Sequence, residues 1–345
     1  MLERLDHASH PTGPASDRDS PSAAISARAL RRTFKGGIEA VQGIDLTVSR
    51  GEVFGFLGPN GAGKTTTVRM LCTLLPPTAG TATVAGLDVV RDAAEVRRRI
   101  GVALQEIGLD PVQTGRELLE LQCGLYGISG QRARDRASEL LELVGLTEAA
   151  GRRTKTYSGG MKRRLDLASA LVHSPEVLFL DEPTTGLDPA SRLTIWDEVR
   201  RINGDGATVF LTTQYLEEAD KLCDRLAIID NGRIVAEGTP ARLKSEMGHD
   251  VVSVSVEAAE VPRTEVVMAG LPGLERIVTE PDGLALYVED GASSIPEIVR
   301  RLERERIRAR AISVSRPSLD DVFLQATGRR LEGQEANQST AGVSS

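Results

Sequence analysis

The chain has 345 residues, enough for two domains, and its 42 Lys and Arg residues against 49 Asp and Glu residues give a net charge of −7. That balance excludes an overall basic field for binding nucleic acid, and an aromatic content of 3% is too low for a surface that stacks bases. The three cysteines, Cys72, Cys123 and Cys223, are far apart and odd in number, so they fit reduced thiols better than disulfides or zinc ligands.

Residues 1–24 are polar and contain proline, and we expect a disordered arm there rather than a signal peptide. No apolar run in the sequence approaches the roughly 18 residues that indicate a membrane-spanning helix. Apolar and polar residues alternate at residues 44–48, as in a half-buried antiparallel strand, and an apolar strand is predicted at residues 53–57. A helix is predicted from Gly63 to about Leu75, where two prolines follow.

A glycine-rich loop with the sequence GPNGAGKT connects that strand to the helix. Its spacing predicts a phosphate-binding loop, in which glycines let successive backbone N–H groups face one anion at the start of a helix. Lys64 would bring a point charge to the β and γ phosphates of a nucleotide, and, as in P-loop NTPases generally, Thr65 would bind Mg²⁺. A plain glycine-rich turn is the alternative for this loop taken alone. The predicted nucleotide-binding residues here are Gly58, Pro59, Asn60, Gly61, Ala62, Gly63, Lys64, Thr65 and Thr66.

The middle of the chain alternates between helical and strand patterns. Residues 112–172 show mostly helical periodicity and include a Ser-Gly-Gly tripeptide at residues 158–160. Short apolar strands are predicted at residues 177–180, 208–213 and 226–230, with helical patterns between them. Such alternation is typical of a parallel sheet covered by helices. The sequence therefore predicts an α/β core with a helical subdomain.

Two carboxylates, Asp181 and Glu182, follow the first of these apolar strands. Asp181 is expected to hold Mg²⁺ opposite Thr65, so that the metal takes up its charge and leaves the carboxylate of Glu182 free to polarise water. We therefore predict that Glu182 is the general base of a hydrolysis reaction. A carboxylate that merely supports the metal site is the alternative.

The pattern changes beyond Gly248. Valine and serine alternate at residues 252–256, a Pro-Asp-Gly turn at residues 281–283 separates two further strand-like runs, and apolar residues at helical spacing follow. We predict a small separate α+β domain at residues 249–328, with the order βαββαβ, and a free tail at residues 329–345.

The glycine-rich loop, the Ser-Gly-Gly tripeptide and the apolar strand ending in Asp-Glu together resemble the ATP-binding cassette of ABC transporters over residues 25–248. This resemblance implies a P-loop NTPase fold with ATP and Mg²⁺ as cofactors. It also implies that Gln105 touches the Mg²⁺ shell and reports the nucleotide state to a membrane subunit. Phe34 would stack on adenine by the same resemblance, or it would fill the core.

The resemblance also implies a head-to-tail homodimer that closes around ATP. The helix that begins at Ser-Gly-Gly offers a second anion site, and one chain has no second triphosphate to place there. In the family, this helix end closes on the nucleotide held by the other copy. The residues expected to act in trans are Ser158, Gly159, Gly160 and Asp188.

The sequence departs from the family pattern in two places. Tyr157 and Met161 flank the tripeptide where the family commonly has Leu and Gln, and we expect binding to survive because the middle three residues build the anion site. Gln214 stands where the family usually has a histidine. Its amide can hydrogen-bond a phosphate or water but cannot take a proton, so we expect a working switch residue beside the base Glu182. The predicted catalytic residues are thus Glu182, Lys64 and Gln214.

Gln214 and the sequence PSLDDVFL at residues 317–324 make the chain similar, end to end, to the daunorubicin-resistance type of ATP-binding subunit. That similarity implies an ATP-hydrolysing export motor on the cytoplasmic face of the cell membrane, with a separate multi-spanning permease and a hydrophobic drug, antibiotic or lipid as cargo. A regulatory ATP-binding subunit with weak or no turnover is the alternative. A non-transport ABC ATPase would need tandem cassettes or a long coiled-coil insertion, and the sequence contains neither.

Overall fold

The structure is a computed structural model that describes residues 23–105, 108–248 and 250–329. In chain order, its strands are β1 (Ala23–Thr33), β2 (Glu39–Ser49), β3 (Val53–Leu57), β4 (Ala79–Val84), β5 (Leu87–Asp88), β6 (Ile100–Ala103), β7 (Val177–Asp181), β8 (Thr208–Thr213), β9 (Arg225–Asp230), β10 (Arg233–Gly238), β11 (Asp250–Ser255), β12 (Leu274–Glu280), β13 (Gly283–Val288) and β14 (Ala311–Ser315). In chain order, its helices are α1 (Lys64–Leu71), α2 (Ala93–Arg99), α3 (Gly115–Leu125), α4 (Gln131–Leu143), α5 (Gly159–Ala170), α6 (Pro189–Gly204), α7 (Leu216–Leu222), α8 (Pro240–Glu246), α9 (Val261–Met268), α10 (Gly291–Arg304) and α11 (Leu319–Thr327).

The central sheet has six strands in the order β10-β9-β3-β8-β7-β6. The strands from β9 to β6 are parallel, and β10 runs antiparallel to β9. Strands β3, β7 and β8 are buried along their whole length, as expected for apolar runs in a sheet that is covered on both faces. Because parallel strands end at the same edge, the loops after β3, β6, β7 and β8 lie along one side of the sheet.

The two faces of the central sheet are covered differently. One face packs against α1 and against an antiparallel sheet with the order β2-β1-β4-β5. On that face the rings of Phe54, Phe56 and Phe179 lie 5.6–5.7 Å from the ring of Phe210. The other face is covered by α6, α7 and the helices α3 to α5. The predicted half-buried strand at residues 44–48 is confirmed as part of β2, which pairs antiparallel with β1.

Two element boundaries differ from the sequence predictions. Helix α1 ends at Leu71 instead of near Leu75, because Thr73 has a φ of 63°, a left-handed conformation that a right-handed helix cannot continue. Strand β1 begins at Ala23, so the last two residues of the predicted arm belong to a strand. The rest of that arm, and the predicted tail beyond Arg329, lie outside the described residues.

The helical insertion is built by α3, α4 and α5, with short 3-10 turns at Thr147–Ala149 and Thr154–Thr156 before α5. Thr114 begins α3 with a capping box, in which its hydroxyl accepts from the N–H of Glu117 and the carboxylate of Glu117 accepts from the N–H of Thr114. The hydroxyl of Tyr157 donates to the carbonyl of Ala149 at 2.7 Å. This bond fixes the segment that leads into α5.

Residues 250–329 form a second structural unit. Its antiparallel sheet has the order β12-β13-β11-β14, and α9 and α10 pack on one face around Val252, Leu286 and Ile298. The order of elements from β11 to β14 is the predicted βαββαβ, and α11 follows it.

Helix α11 lies between this second sheet and the core. Its buried residues Val322 and Phe323 belong to one apolar cluster with Tyr287 of β13, Leu243 of α8 and Leu216 of α7. The α/β core with a helical insertion and a small C-terminal α+β unit is thus confirmed. Within the described residues, no helix has both the length and the apolar character needed to cross a membrane.

Candidate functional site

The glycine-rich loop joins β3 to α1 at the edge of the sheet where the parallel strands end. A Cβ atom at Gly58 would lie 2.3 Å from the carbonyl oxygen of Ile229. Gly63 has a φ of 108°, and a Cβ atom there would lie 2.4 Å from the carbonyl oxygen of Ala40. The tight turn that presents backbone N–H groups ahead of α1 therefore depends on glycine at both positions.

Lys64 is the first residue of α1, and its side chain is buried under the loop. Its Nζ atom donates to the carbonyl oxygens of Gly58 at 2.7 Å and Pro59 at 3.1 Å. The same atom lies 3.1 Å from Oε1 of Glu182, whose side chain is also buried. The loop carbonyls therefore hold the ammonium group inside the loop, beside Glu182.

Asp181 is the last residue of β7, and its carboxylate is buried. Oδ1 accepts hydrogen bonds from Thr212 Oγ1 at 2.5 Å and from Thr65 Oγ1 at 3.2 Å. Oδ2 is equally buried and has no hydrogen-bond partner among the described residues. A buried carboxylate oxygen without a donor is unfavourable, and a cation beside it would satisfy it. Thr65 and Asp181 together therefore fit a hard divalent cation such as Mg²⁺.

Glu182 follows β7 in a left-handed conformation, with a φ of 49°. Such a backbone costs a non-glycine residue about 1–3 kcal/mol and occurs most often at functional sites. Its N–H is held by the hydroxyl and carbonyl oxygens of Thr212, at 3.0 and 3.1 Å. Oε2 accepts from Thr185 Oγ1 at 3.3 Å. The side chain is thus turned toward Lys64 instead of along the strand.

Two glutamines predicted for the site lie beyond the ends of β6 and β8, the strands on either side of β7. Gln105 lies just beyond β6, and its Nε2 atom is 3.5 Å from Oε2 of Glu182. Gln214 lies just beyond β8 and is half-buried, and its side chain makes no hydrogen bond within the described residues. The carbonyl of its neighbour Thr213 accepts from the N–H of Gly58 at 3.3 Å, which ties the end of β8 to the glycine-rich loop.

Phe34 follows β1 and is 38% exposed, so it does not fill the core. The guanidinium carbon of Arg32 lies 4.9 Å from the centre of its ring. An exposed ring of this kind offers a face for stacking. Its contact with adenine stays a prediction.

The Ser-Gly-Gly tripeptide begins α5, as predicted. Ser158 is the N-cap, and its hydroxyl accepts from the N–H of Met161 at 3.2 Å. A Cβ atom at Gly160 would lie 2.9 Å from Oγ of Ser191, so α5 begins close against the first turn of α6. Among the described residues, no hydrogen bond or ion pair joins Ser158 to the glycine-rich loop of the same chain.

Asp188 is the N-cap of α6 and is exposed. Its two carboxylate oxygens accept from the hydroxyl of Ser191 at 2.6 Å and from the N–H of Ser191 at 3.0 Å. These hydrogen bonds lower the pKa of Asp188. Asp188 and the start of α5 therefore share one exposed surface beside Ser191.

Sequence reasoning missed Arg163, a buried residue in the second turn of α5. Its guanidinium donates to the carbonyl oxygens of Leu104 at 2.5 Å, Asp181 at 3.0 Å and Pro183 at 3.0 Å. Arg163 therefore joins the helix that begins at Ser158 to the ends of β6 and β7. One feature of the sequence could have indicated its burial: Arg163 lies four residues before Leu167 and so shares a helix face with that apolar residue.

Comparisons with known proteins agree with this geometry. The sequence model of the ABC transporter family matches residues 41–185. A second sequence model, for the C-terminal domain of DrrA1-3-like ATP-binding proteins, matches residues 238–327. The first match lies within the core, and the second spans the second structural unit.

Relatives resemble the chain over nearly its whole length. The chain is 49% identical over 318 residues to the daunorubicin resistance ATP-binding protein DrrA2 of Streptomyces coeruleorubidus, covering 92% of this chain and 98% of that protein. It is 44% identical over 321 residues to the daunorubicin/doxorubicin resistance ATP-binding protein DrrA of Streptomyces peucetius, covering 92% and 97%.

A solved structure resembles the core. It is the dimeric structure of a post-hydrolysis state of an ATP-binding cassette bound to ADP and Pi. Its TM-score is 0.58 at 28% sequence identity, covering 62% of this chain and 98% of that one.

Proposed function

The chain belongs to the ATP-binding subunits of ABC transporters, of the daunorubicin-resistance type, and we propose that it hydrolyses MgATP to drive export through a separate membrane subunit. The observation that carries the proposal is the convergence of Lys64, Asp181 and Glu182 at one sheet edge. Within the described part of the chain, Asp181 there keeps a buried oxygen without a donor, and Glu182 adopts a strained backbone. This donor set suits a metal-bound triphosphate and an adjacent base.

Each residue of the site has a separate task in this proposal. The loop N–H groups and Lys64 bind the phosphates, while Thr65 and Asp181 hold Mg²⁺, with Gln105 beside them. MgATP supplies the reactive γ-phosphoryl group. Glu182 accepts a proton from water, and Gln214 donates a hydrogen bond to the γ-phosphate or to that water.

The proposed unit of hydrolysis is a homodimer. Ser158, Gly159 and Asp188 are exposed and Gly160 is half-buried, and the N–H groups at the start of α5 can bind an anion that their own chain does not supply. A partner's nucleotide fits that requirement. The similar cassette of known structure, described as dimeric with ADP and Pi, supports this arrangement.

The proposed transport partner is a multi-spanning permease, with this subunit bound at the cytoplasmic face of the cell membrane. The names of the relatives, which refer to daunorubicin and doxorubicin resistance, support a hydrophobic drug or antibiotic as cargo. No nucleic acid is part of the proposal. Coexpression with a candidate membrane subunit, followed by assay of ATP-dependent antibiotic uptake into inverted vesicles, tests this part.

A regulatory subunit with weak or no turnover is the second candidate, and Gln214 in place of the usual histidine favours it. Phosphate release from MgATP distinguishes the two candidates, and it is measured on the purified protein alone and then with the membrane subunit. The export motor predicts steady turnover that stops when EDTA removes Mg²⁺. No turnover in the presence of the membrane subunit would support the regulatory candidate.

A further inference from the structure

A buried carboxyl group outside the proposed site connects three of its segments. Glu218 lies in α7 and is fully buried. Its Oε1 atom accepts from Trp196 Nε1 at 2.9 Å and from Thr184 Oγ1 at 3.0 Å. Its Oε2 atom is buried, and a side-chain interaction with Thr213, the residue before Gln214, counters part of the effect of burial on the pKa of Glu218. Burial raises the pKa of Glu218.

Each residue at this junction is close in the chain to a residue of the site. Thr184 lies two positions after Glu182. Trp196 lies on α6, the helix that Asp188 caps, and Glu218 lies on α7, which begins just after Gln214. One carboxyl oxygen therefore ties together the segments that carry the proposed base, the partner-facing Asp188 and the switch residue.

A second contact supports the same connection. The guanidinium carbon of Arg192, in the first turns of α6, lies 4.5 Å from the centre of the Tyr215 ring. Tyr215 is the residue between Gln214 and α7. The attraction between a cation and an aromatic face joins α6 to Tyr215, beside Gln214. The hydrogen bond from Trp196 to Glu218 joins α6 to α7 again, one turn further along α7.

Packing alone does not explain a glutamate at this position. An apolar side chain of similar volume would fill the space without the cost of removing a carboxyl group from water. Hydrogen bonds, unlike apolar contacts, fix distance and angle between the groups that they join. The carboxyl of Glu218 is therefore suited to setting the position of α7 relative to α6 and the Thr184 segment.

We propose that Glu218 is a positioning residue for ATP hydrolysis. It fixes the position of Gln214 relative to the segment that runs from Glu182 to Asp188. The proposal rests on the proposed function, since it assigns a role in that reaction. Among the described residues, no hydrogen bond or ion pair joins Glu218 to the glycine-rich loop. Its loss should therefore slow the chemical step and leave nucleotide binding nearly intact.

The first test compares Glu218→Ala with Glu218→Gln. The amide of the glutamine variant can still accept from Trp196, whereas alanine cannot. We expect kcat to fall by about 10- to 100-fold in Glu218→Ala, the scale of a small misplacement of reacting groups, and to recover in Glu218→Gln. KM for ATP should stay within about threefold in both variants. Glu217→Gln, on the exposed side of the same helix, is the matched control and should keep the wild-type kcat.

The decisive test is a double-mutant cycle with Gln214→Ala. If Glu218 acts through Gln214, Glu218→Ala should cost little further kcat in the Gln214→Ala background. If Glu218 had only a structural role, the fold-losses in kcat of the two single variants would instead multiply in the double variant. If Glu218→Ala does not fold, Thr184→Val removes one of the hydrogen bonds to Glu218 with almost no change in shape and enters the same cycle.

The single tryptophan of the chain gives an independent signal, because its indole N–H donates to Glu218. The emission maximum of Trp196 should shift in Glu218→Ala and return in Glu218→Gln. An unchanged kcat in folded Glu218→Ala, or multiplicative losses in the cycle, would overturn the inference. Absence of turnover in the wild type would overturn the proposed function, and the inference with it.

Discussion

The Nζ atom of Lys64 lies 3.1 Å from Oε1 of Glu182, and both side chains are buried. The proposed base is thus paired with the cation that is proposed to bind phosphate. A triphosphate in the loop would compete for Lys64 and leave Glu182 free to accept a proton.

Replacement of Lys64 by alanine should abolish ATP binding, because the loop N–H groups alone must then neutralise the β and γ phosphates. It also leaves Glu182 buried without its cation, which costs about 3–5 kcal/mol for a buried pair. Titration with a fluorescent ATP analogue measures the first effect. Lys244→Ala, on α8, is the control and should bind ATP normally. Unchanged affinity in Lys64→Ala would contradict the assignment of the loop.

Gln214→Ala should lower kcat by about 10²- to 10³-fold, the loss expected when one preorganised hydrogen-bond donor is removed. KM for ATP should change much less, because the phosphate contacts of the loop remain. Gln214→His should stay active, since a histidine can donate a comparable hydrogen bond. Steady-state kinetics of the three proteins gives the comparison. A gain of turnover found only in Gln214→His would favour a regulatory subunit.

Ser158→Arg should bind ATP as a monomer but hydrolyse none, because Ser158 is proposed to act on the partner's nucleotide. Mixing this variant with Lys64→Ala provides a sharper test. A head-to-tail heterodimer would contain one site with an intact loop and an intact Ser158, so the mixture should regain turnover that neither variant has alone. If Ser158 served the nucleotide of its own chain, every site in the mixture would keep a defect and no activity would return.

Glu198 on α6 should make stability depend on pH. Burial raises its pKa from 4.5 to about 7, although Arg164 and Arg201 lower it. Between these two values the folded protein keeps a proton that the unfolded chain releases, so the free energy of unfolding falls as pH rises and the loss is complete above pH 7.

Glu198→Gln removes this dependence. We expect the variant to be more stable than wild type by about 1–3 kcal/mol at alkaline pH and similar to it near the lower pKa. Urea denaturation at both pH values gives the comparison. The exposed residue Glu142 supplies the control, and Glu142→Gln should match wild type throughout. Equal stability of Glu198→Gln and wild type at alkaline pH would show that the carboxyl costs nothing when ionised.

The parts of the site that were predictable are those encoded locally. The GPNGAGKT loop and the Asp-Glu pair after an apolar strand are short, contiguous patterns. Asp181 and Thr65 could be paired in advance because P-loop NTPases generally hold Mg²⁺ between such a hydroxyl and such a carboxylate. Gln105 and Gln214 likewise follow apolar runs, and the structure places them beyond β6 and β8, on either side of β7.

The parts that could not be predicted depend on contacts between distant segments. Arg163 and Glu218 are charged residues inside helices, where surface exposure is the usual expectation. Only the packing of α5 against β6 and β7, and of α6 against α7, buries them. The contact of α11 with α7 and α8 likewise joins residues about a hundred positions apart, and no local pattern specifies it.

The most direct test of the account is the ATP turnover of Glu182→Gln beside that of wild type, at saturating MgATP. The variant keeps the shape of the side chain and a hydrogen-bonding group near Thr185, but it cannot accept a proton. We predict steady wild-type turnover and a fall of about 10²- to 10⁴-fold in the variant, with ATP affinity retained. Turnover of Glu182→Gln at the wild-type rate would contradict it.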